Sequence, residues 1–183
     1  MTLVLASRSP QRRAILEQLG VAFTVVAPDV EELTAGDPVE VAVANAERKA
    51  RAVQAAAPVL GVDTVVVLDG AVYGKPADAA QARAMLGRLS GRDHTVVSGI
   101  AVVEGEAVRT ASARTRVRFR ALAADTLDWY VGTGEWRERA GGYAIQGRGA
   151  ALVAELEGDY LNVVGLPVAA LIDLLPGILH GTS

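Results

Sequence analysis

The sequence contains no cysteine among its 183 residues. This absence excludes disulfide bridges, thiolate catalysis and zinc sites with cysteine ligands, and it is compatible with a reducing cytoplasm. Aromatic residues make up only 4% of the chain and hydrophobic residues 51%, so alanine, valine and leucine must fill most of the core. No stretch approaches the ~20 uncharged apolar residues that a membrane-spanning helix needs.

The chain also lacks an excess of positive charge. Its net charge of −3 argues against a protein that coats nucleic acid through bulk electrostatics. The opening residues MTLVLASRSP have too short an apolar run, and no basic region before it, for a signal peptide. We therefore expect a cytoplasmic protein with no nucleic-acid or membrane partner. The length predicts one domain over residues 1–183, or two lobes that share a core.

Hydrophobic periodicity predicts helices and strands that mix without strict alternation. We expect strands over 2–6, 23–27, 59–68, 94–103, 107–119, 151–156 and 160–164. We expect helices over 10–19, 39–57, 78–89, 125–131 and 167–179. The Asp-Gly pair after the third strand is typical of a hairpin turn. The pattern predicts an α/β or α+β sheet that includes hairpins.

The stretch LASRSPQRRAIL gathers hydroxyl and guanidinium groups where the first strand gives way to the first helix. Ser9 occupies the N-cap position, and Ser7 and Ser9 can donate hydrogen bonds to phosphate oxygens. Arg12 and Arg13 add planar forks that match phosphate geometry. The alternative is one capping serine and two solvated arginines. Against it, cations at a helix N-terminus are disfavoured by ~0.3–1 kcal/mol, so an anion would complete the site.

One aspartate interrupts the apolar strand in GVDTVVVLDGAVYGKP. An unpaired buried carboxylate costs several kcal/mol, so Asp63 either faces a cleft or is paired. The alternative is a strand-end aspartate that caps a loop. Lys75, in the GKP that ends the hairpin, can reach the same cleft. The GxxxxGK[ST] frame of a P-loop is missing.

Further polar residues are ambiguous when taken singly. Glu31 and Glu32 offer carboxylates for a divalent cation, although a solvated acidic loop explains them better on their own. Asn45 and Lys49 are four residues apart, so they share one face of the long helix. The isolated histidines fit neither an HExxH site nor a nucleophile elbow. The residues alone support a cleft enzyme or a binding protein for a phosphorylated ligand.

A set of segments taken together resembles the Maf family of nucleoside triphosphate pyrophosphatases. The segments are LASRSPQRRAIL, NAERKARAV, GVDTVVVLDGAVYGKP, LSGRDHTVVSGIAV, RAGGYAIQGRGA and GDYLNVVGLP. They follow the family's order and span nearly the whole chain. The resemblance implies hydrolysis of a nucleoside triphosphate to the monophosphate and pyrophosphate, aided by Mg²⁺ or Mn²⁺. It also implies a possible homodimer and an α/β fold similar to the inosine-triphosphate pyrophosphatases, with a mixed β-sheet flanked by helices and two lobes around a nucleotide cleft.

The same resemblance assigns roles to individual residues. Asp63 is the implied general base, and Asp63 and Glu32 are the implied metal ligands. The implied substrate-binding residues are Ser7, Ser9, Arg12, Lys49 and Lys75, to which the helix start adds Arg13.

Three positions bear on the choice of base. Thr64 and Gln146 match the branch of the family that acts on dTTP and UTP, whereas Gln11 stands where that branch has arginine. Arg139 also stands where lysine is usual. Two matches of three favour dTTP and UTP as substrates.

Two other classes of function stay open at this point. One is a nucleotide-binding regulator of cell division with little catalysis, and the other is an RNA-binding module. The acidic charge balance and the scarcity of aromatic residues disfavour the RNA-binding module. The pairing of Asp63 with Lys75 in one motif favours an enzyme, because a sensor has no need of a positioned base.

Overall fold

A computed structural model describes residues 2–180 of the chain. Its strands are β1 (Leu3–Ala6), β2 (Phe23–Val26), β3 (Val59–Leu68), β4 (Ala71–Tyr73), β5 (Asp93–Glu104), β6 (Ala107–Phe119) and β7 (Val153–Glu157). Its α-helices are α1 (Pro10–Gln18), α2 (Pro38–Arg51), α3 (Ala79–Leu89), α4 (Ala124–Gly132), α5 (Tyr160–Val164) and α6 (Val168–Leu174). Among these described helices, none combines the length and hydrophobicity needed to cross a bilayer.

The strands form one mixed sheet in the order β2-β1-β3-β5-β6-β7, with β4 paired to β3. β1 runs parallel to both β2 and β3, whereas β4 is antiparallel to β3 and β7 is antiparallel to β6. The β3–β4 hairpin closes through Asp69 and Gly70, which both have positive φ angles of 52° and 76°. This is the geometry that an Asp-Gly turn favours. The predicted α/β class, with a mixed sheet flanked by helices, is confirmed.

The chain divides into two compact units. The first contains the residues up to Thr64, Val97–Ala113 and the residues from Gly165 onward, and the second contains Val65–Val96 and Arg114–Val164. A core cluster of the first unit consists of alanine and valine, as the composition predicts: Val4, Ala6, Ala46, Ala50, Val53, Val59, Ala101 and Val103. The core of the second unit also buries aromatic side chains, namely Phe119, Tyr130, Trp136 and Tyr143.

Two glycines let helix α2 lie against the sheet in the first unit. A Cβ atom on Gly61 of β3 would lie 2.0 Å from the carbonyl oxygen of Ala46 and 2.8 Å from the backbone nitrogen of Ala50. A Cβ on Gly99 of β5 would lie 2.2 Å from the carbonyl carbon of Ala42. Because these neighbours are backbone atoms of α2, no side-chain rotation can relieve the clash. Both glycines therefore set the distance between α2 and the strands.

Gly61→Ala is expected to lower the free energy of unfolding by about 3 kcal/mol, the upper range for overpacking, because helix α2 must move away from β3. Urea denaturation followed by circular dichroism measures the change. Gly87→Ala is a matched control in α3, where an added Cβ meets nothing within 4 Å. That exchange should raise stability by roughly 0.5–1 kcal/mol. A Gly61→Ala protein as stable as the wild type would contradict this account of the packing.

The structure corrects three of the predicted elements. Helix α2 ends at Arg51 rather than 57, since the residues that follow lead into Pro58, which disfavours helical backbone before it. Helix α6 ends at Leu174 rather than 179, ahead of Pro176. The segment predicted as a strand over 160–164 is the short helix α5.

Helix α5 forms because side-chain hydrogen bonds outweigh the β-propensity of its tyrosine and valines. The Asp159 carboxylate accepts the Leu161 backbone N–H at 2.8 Å and so begins a helical turn. The turn brings the fully buried Asn162 amide to the Val96 carbonyl oxygen at 3.2 Å and to Thr115 Oγ1 at 3.0 Å. Tertiary contacts of this kind are not visible in local sequence preference.

Candidate active site

The parallel pairing of β1 with β3 brings the candidate residues of the first unit to one edge of the sheet. Ala6, the last residue of β1, pairs with Gly61. Asp63 and Thr64 therefore lie on β3 just beyond the point where β1 ends and Ser7 begins the loop to α1. In sheets with parallel strands, ligands bind outside the carboxyl ends of the strands.

Hydrogen bonds within the β1–α1 loop fix the two serines. Ser9 is the N-cap of α1, and its Oγ accepts the Arg12 backbone N–H at 3.5 Å. The Ser9 backbone N–H donates to Ser7 Oγ at 3.1 Å, and the Ser9 hydroxyl donates to Gln11 Oε1 at 3.1 Å. The predicted N-cap is thus confirmed. The N-terminus of α1 lies beside these hydroxyls, and the positive end of the helix dipole favours an anion there.

The guanidinium group of Arg12 spreads over three neutral oxygen acceptors. Its Nε donates to the Gly165 carbonyl at 2.8 Å, Nη1 to Ser7 Oγ at 3.1 Å and Nη2 to Thr64 Oγ1 at 3.2 Å. Burial lowers the pKa of Arg12, while the negative charges of Asp63 and Glu32 act in the opposite direction. A guanidinium keeps its charge under such conditions because its ordinary pKa lies far above neutral pH. The loop therefore holds a fixed cation at the edge of the sheet.

Asp63 is buried with 6% of its surface exposed, and a partner meets each of its carboxylate oxygens. Lys49 Nζ donates to Oδ1 at 2.7 Å, and Asn45 Nδ2 donates to Oδ2 at 3.0 Å. Asn45 and Lys49 reach the same carboxylate because they lie one turn apart on α2. The close approach of α2 at Gly61 sets the distance over which they act. Of the two alternatives that the sequence leaves open, a paired Asp63 and a loop-capping Asp63, the structure shows the paired one.

Lys49 also joins Glu32 to this cluster. Its ammonium group lies 2.8 Å from Glu32 Oε1, while Lys49 is buried and the Glu32 side chain is about half exposed. Asn45 holds the acidic loop in place, since its Oδ1 accepts the Leu33 backbone N–H at 2.7 Å and its Nδ2 donates to the Leu33 carbonyl at 3.0 Å. Removing one partner of a buried ion pair such as Lys49–Asp63 typically costs about 3–5 kcal/mol.

The two carboxylates offer a donor set for a hard divalent cation. Asp63 and Glu32 contact one and the same ammonium group, so their oxygens converge on a single cationic point. Mg²⁺ binds through one or two carboxylates together with phosphate oxygens and water. Across residues 2–180 there is no group of three or more histidine, aspartate or glutamate side chains placed to hold a metal. The two carboxylates are compatible with a divalent cation.

Arg13, Lys75 and Gln146 are the remaining predicted residues. Arg13 is exposed on α1. Lys75 and Gln146 belong to the second unit. The Lys75 ammonium is exposed and pairs with Glu138 at 2.9 Å, which holds the pKa of Glu138 below its ordinary value. Gln146 is exposed within the glycine-rich segment that follows α4.

Two buried polar residues of the first unit make contacts that the sequence does not predict. The helical spacing predicts Asn45 on the face of Lys49, but not its bridge between Asp63 and the acidic loop. Ser98 is fully buried in β5 and its hydroxyl lies 2.9 Å from Thr64 Oγ1. A signal for Ser98 existed in the sequence, because it is a polar residue inside the apolar run of TVVSGIAVV, as Asp63 is within its own strand.

Comparison with known proteins finds several relatives that carry the same name. The chain is 51% identical over 178 residues to the dTTP/UTP pyrophosphatase of Symbiobacterium thermophilum, covering 94% of this chain and 92% of the relative. It is 49% identical to the dTTP/UTP pyrophosphatase of Gloeobacter violaceus, covering 94% of each. It is 41% identical to that of Pyrococcus furiosus, covering 94% and 93%.

A solved structure, that of the Staphylococcus aureus Ham1 protein, is similar with a TM-score of 0.46 and 17% identity over 65% of this chain and 72% of that one. At this score the fold assignment rests on the sheet described above and not on the likeness. The family model described as Maf-like protein matches residues 2–178. The chain belongs to the Maf-like protein family.

Proposed function

We propose that this protein hydrolyses nucleoside triphosphates, with dTTP and UTP as its substrates, to the monophosphate and pyrophosphate. The relatives that carry the name dTTP/UTP pyrophosphatase are 41–51% identical over 94% of this chain. The observation that carries the proposal is the buried Asp63 carboxylate, oriented by Lys49 and Asn45 at the edge where the β1–α1 loop begins. We further propose that residues 1–183 act as one enzymatic domain.

The β1–α1 loop binds the triphosphate in this proposal. Arg12 supplies a positive charge that its neutral partners do not cancel. Ser7 and Ser9 supply hydroxyl donors, and the dipole of α1 adds a favourable potential for negative charge. Lys49 offsets the repulsion that the Asp63 and Glu32 carboxylates would exert on an incoming polyanion. Arg13 and Lys75, both exposed, add charge that draws in the nucleotide.

Asp63 orients a water molecule and takes its proton. Each carboxylate oxygen has one protein donor, so each keeps acceptor capacity for a water molecule. The water oxygen forms a bond to the α-phosphorus while the bond from that phosphorus to the bridging oxygen breaks. The electron pair leaves with pyrophosphate. General-base assistance of this kind contributes about 10²–10⁴-fold to the rate.

Glu32 and Asp63 would hold the divalent cation, Mg²⁺ or Mn²⁺, which when bound neutralises charge on the phosphate oxygens and on the departing pyrophosphate. Lys49 lies between the same two carboxylates, so its ammonium group competes with the divalent cation for their oxygens. Its side chain thus keeps the pair of carboxylates together before the nucleotide arrives.

The experiment that tests the proposal is a panel of nucleoside triphosphates with Mg²⁺ or Mn²⁺, scored for pyrophosphate release. We expect turnover to be highest with dTTP and UTP, with the monophosphate formed in equal amount. Nucleotide binding without pyrophosphate release would replace the enzyme with a nucleotide-binding regulator. Release of inorganic phosphate in place of pyrophosphate would move the attack from the α-phosphorus to the γ-phosphorus.

Arg12→Ala is expected to weaken binding of a non-hydrolysable UTP analogue by ~10- to 150-fold, the value of a charge-assisted hydrogen bond. Binding of uridine should change far less. Isothermal titration calorimetry with both ligands measures the two constants. Arg51→Ala is a matched control, since Arg51 is an exposed arginine of α2 paired with Glu47. If Arg12→Ala weakened the binding of both ligands equally, the role of Arg12 would be structural only.

A further inference from the structure

The Thr64 hydroxyl has two neighbours whose hydrogen-bonding roles determine its own. Arg12 Nη2 lies 3.2 Å from Thr64 Oγ1, and a guanidinium only donates. Ser98 Oγ lies 2.9 Å from the same oxygen, a distance at which either hydroxyl is able to donate. Thr64 is partly exposed, and a hydroxyl group makes up to three hydrogen bonds, two as acceptor and one as donor.

Burial decides the direction of the bond between the two hydroxyls. Ser98 is 0% exposed, so its hydrogen cannot turn to bulk water. Within residues 2–180, Thr64 Oγ1 is the hydrogen-bond partner that the structure gives to the Ser98 hydroxyl. If Thr64 donated, the buried Ser98 hydrogen would be left without an acceptor, which is unfavourable. Ser98 therefore donates to Thr64.

Two incoming donors occupy both lone pairs of Thr64 Oγ1, so that hydroxyl has only its hydrogen left to offer. We propose that Ser98 is a positioning residue that fixes the Thr64 hydroxyl as a hydrogen-bond donor to an acceptor oxygen of the bound nucleotide. The inference rests on the proposed function, because it requires a nucleotide at this edge of the sheet.

The acceptor oxygen has two possible sources in a pyrimidine nucleoside triphosphate. One is a phosphate oxygen, which Arg12 attracts to the same place. The other is a ring carbonyl, for which the closest comparison is the carbonyl O4 of uracil against the amino group N4 of cytosine. A hydroxyl that only donates accepts the carbonyl and rejects the amino group, so the two sources give different results with UTP and CTP.

The test is a double-mutant cycle of Ser98→Ala and Thr64→Val, with kcat/KM measured for UTP and CTP. Ser98→Ala frees one lone pair of Thr64, so the hydroxyl is then able to accept from a cytosine amino group. With a ring carbonyl as partner, the ratio of kcat/KM for UTP over CTP should fall about tenfold, mainly through a gain on CTP. With a phosphate partner, both values should fall about threefold at an unchanged ratio, since the donor is less well oriented.

The effect of Ser98→Ala should vanish in the Thr64→Val background, because Ser98 acts through Thr64. Ser98→Thr retains the hydroxyl and should restore the wild-type ratio and rates. Thr115→Val is the matched control in the second unit, where it removes another fully buried hydroxyl and should leave the ratio unchanged. Ser98→Ala without effect on either nucleotide, or with the same effect in both backgrounds, would overturn the inference.

Binding measurements separate this inference from the proposed function. The same cycle is read in the Kd values of UTP and CTP analogues with an imido group between the α- and β-phosphorus atoms. A wild-type protein that binds these analogues but hydrolyses neither nucleotide refutes the proposed function, and the Kd cycle then judges Ser98 alone. A wild-type protein that binds neither analogue overturns both.

Discussion

Asp63→Asn is expected to lower kcat for triphosphate hydrolysis by about 100-fold or more, the scale of a lost general base. An amide has the shape of the carboxylate but cannot take a proton from water. One amide position is also a donor, so it would face Asn45 Nδ2, which donates to Asp63 in the wild type. The Lys49 ammonium would keep its contact with Glu32. Pyrophosphate release at saturating UTP measures the fall.

Nucleotide binding should survive this substitution, because the Arg12 and serine donors of the β1–α1 loop are unchanged. The Kd for a non-hydrolysable analogue should therefore stay within about threefold of the wild type, well below the tenfold step that 1.4 kcal/mol represents. Asp78→Asn is the matched control, since Asp78 caps α3 in the second unit and asparagine caps a helix equally well. Near-full turnover by Asp63→Asn would remove Asp63 from the chemistry.

The sequence predicts those parts of the site that depend on neighbouring residues along the chain. Ser9 caps α1 because an N-cap needs only a side-chain acceptor three residues before the N–H that it binds. Asn45 and Lys49 share a face because the helix repeats every 3.6 residues. Asp63 can be recognised as a candidate from the sequence because a carboxylate inside an apolar strand requires a partner or a function.

The parts that sequence reasoning missed depend on contacts between distant segments. Arg12 reaches Thr64 and the Gly165 carbonyl because β1 and β3 pair in a register that no local pattern specifies. Ser98 meets Thr64 because β5 lies beside β3 in the sheet. The strand predicted over 160–164 failed for the same reason, since buried hydrogen bonds of Asn162 stabilise a helix there.

Gln146 offers the largest expected change in specificity, and its loop is held firmly within the second unit. The Glu135 carboxylate accepts the Arg148 backbone N–H at 2.8 Å. A Cβ atom on Gly147 would lie 2.6 Å from Glu135 Oε2, so the loop passes close to that carboxylate. The Glu135 backbone N–H in turn donates to Thr133 Oγ1 at 3.1 Å. A backbone fixed directly after Gln146 suits a side chain that selects a base.

Gln146→Glu is expected to lower kcat/KM for UTP and dTTP by roughly 10- to 1000-fold, as when a polar match between site and substrate is broken. Uracil and thymine present carbonyl acceptors on either side of one N–H donor, and an amide offers both a donor and an acceptor to that edge. A carboxylate loses the donors and faces a carbonyl with negative charge. A guanine edge with two donors suits the carboxylate better, so activity on GTP should fall far less or rise.

The deciding quantity is the ratio of kcat/KM for UTP over GTP, measured in the wild type and in Gln146→Glu. An added negative charge weakens the binding of every triphosphate to some extent, and the ratio cancels that general repulsion. Gln54→Glu supplies the matched control, because Gln54 is exposed and follows α2, so it adds the same charge outside the glycine-rich loop. We expect the ratio to fall at least tenfold for Gln146→Glu and to stay constant for Gln54→Glu. A constant ratio in both variants would mean that Gln146 does not read the base, and the assignment of dTTP and UTP would lose its support from this position.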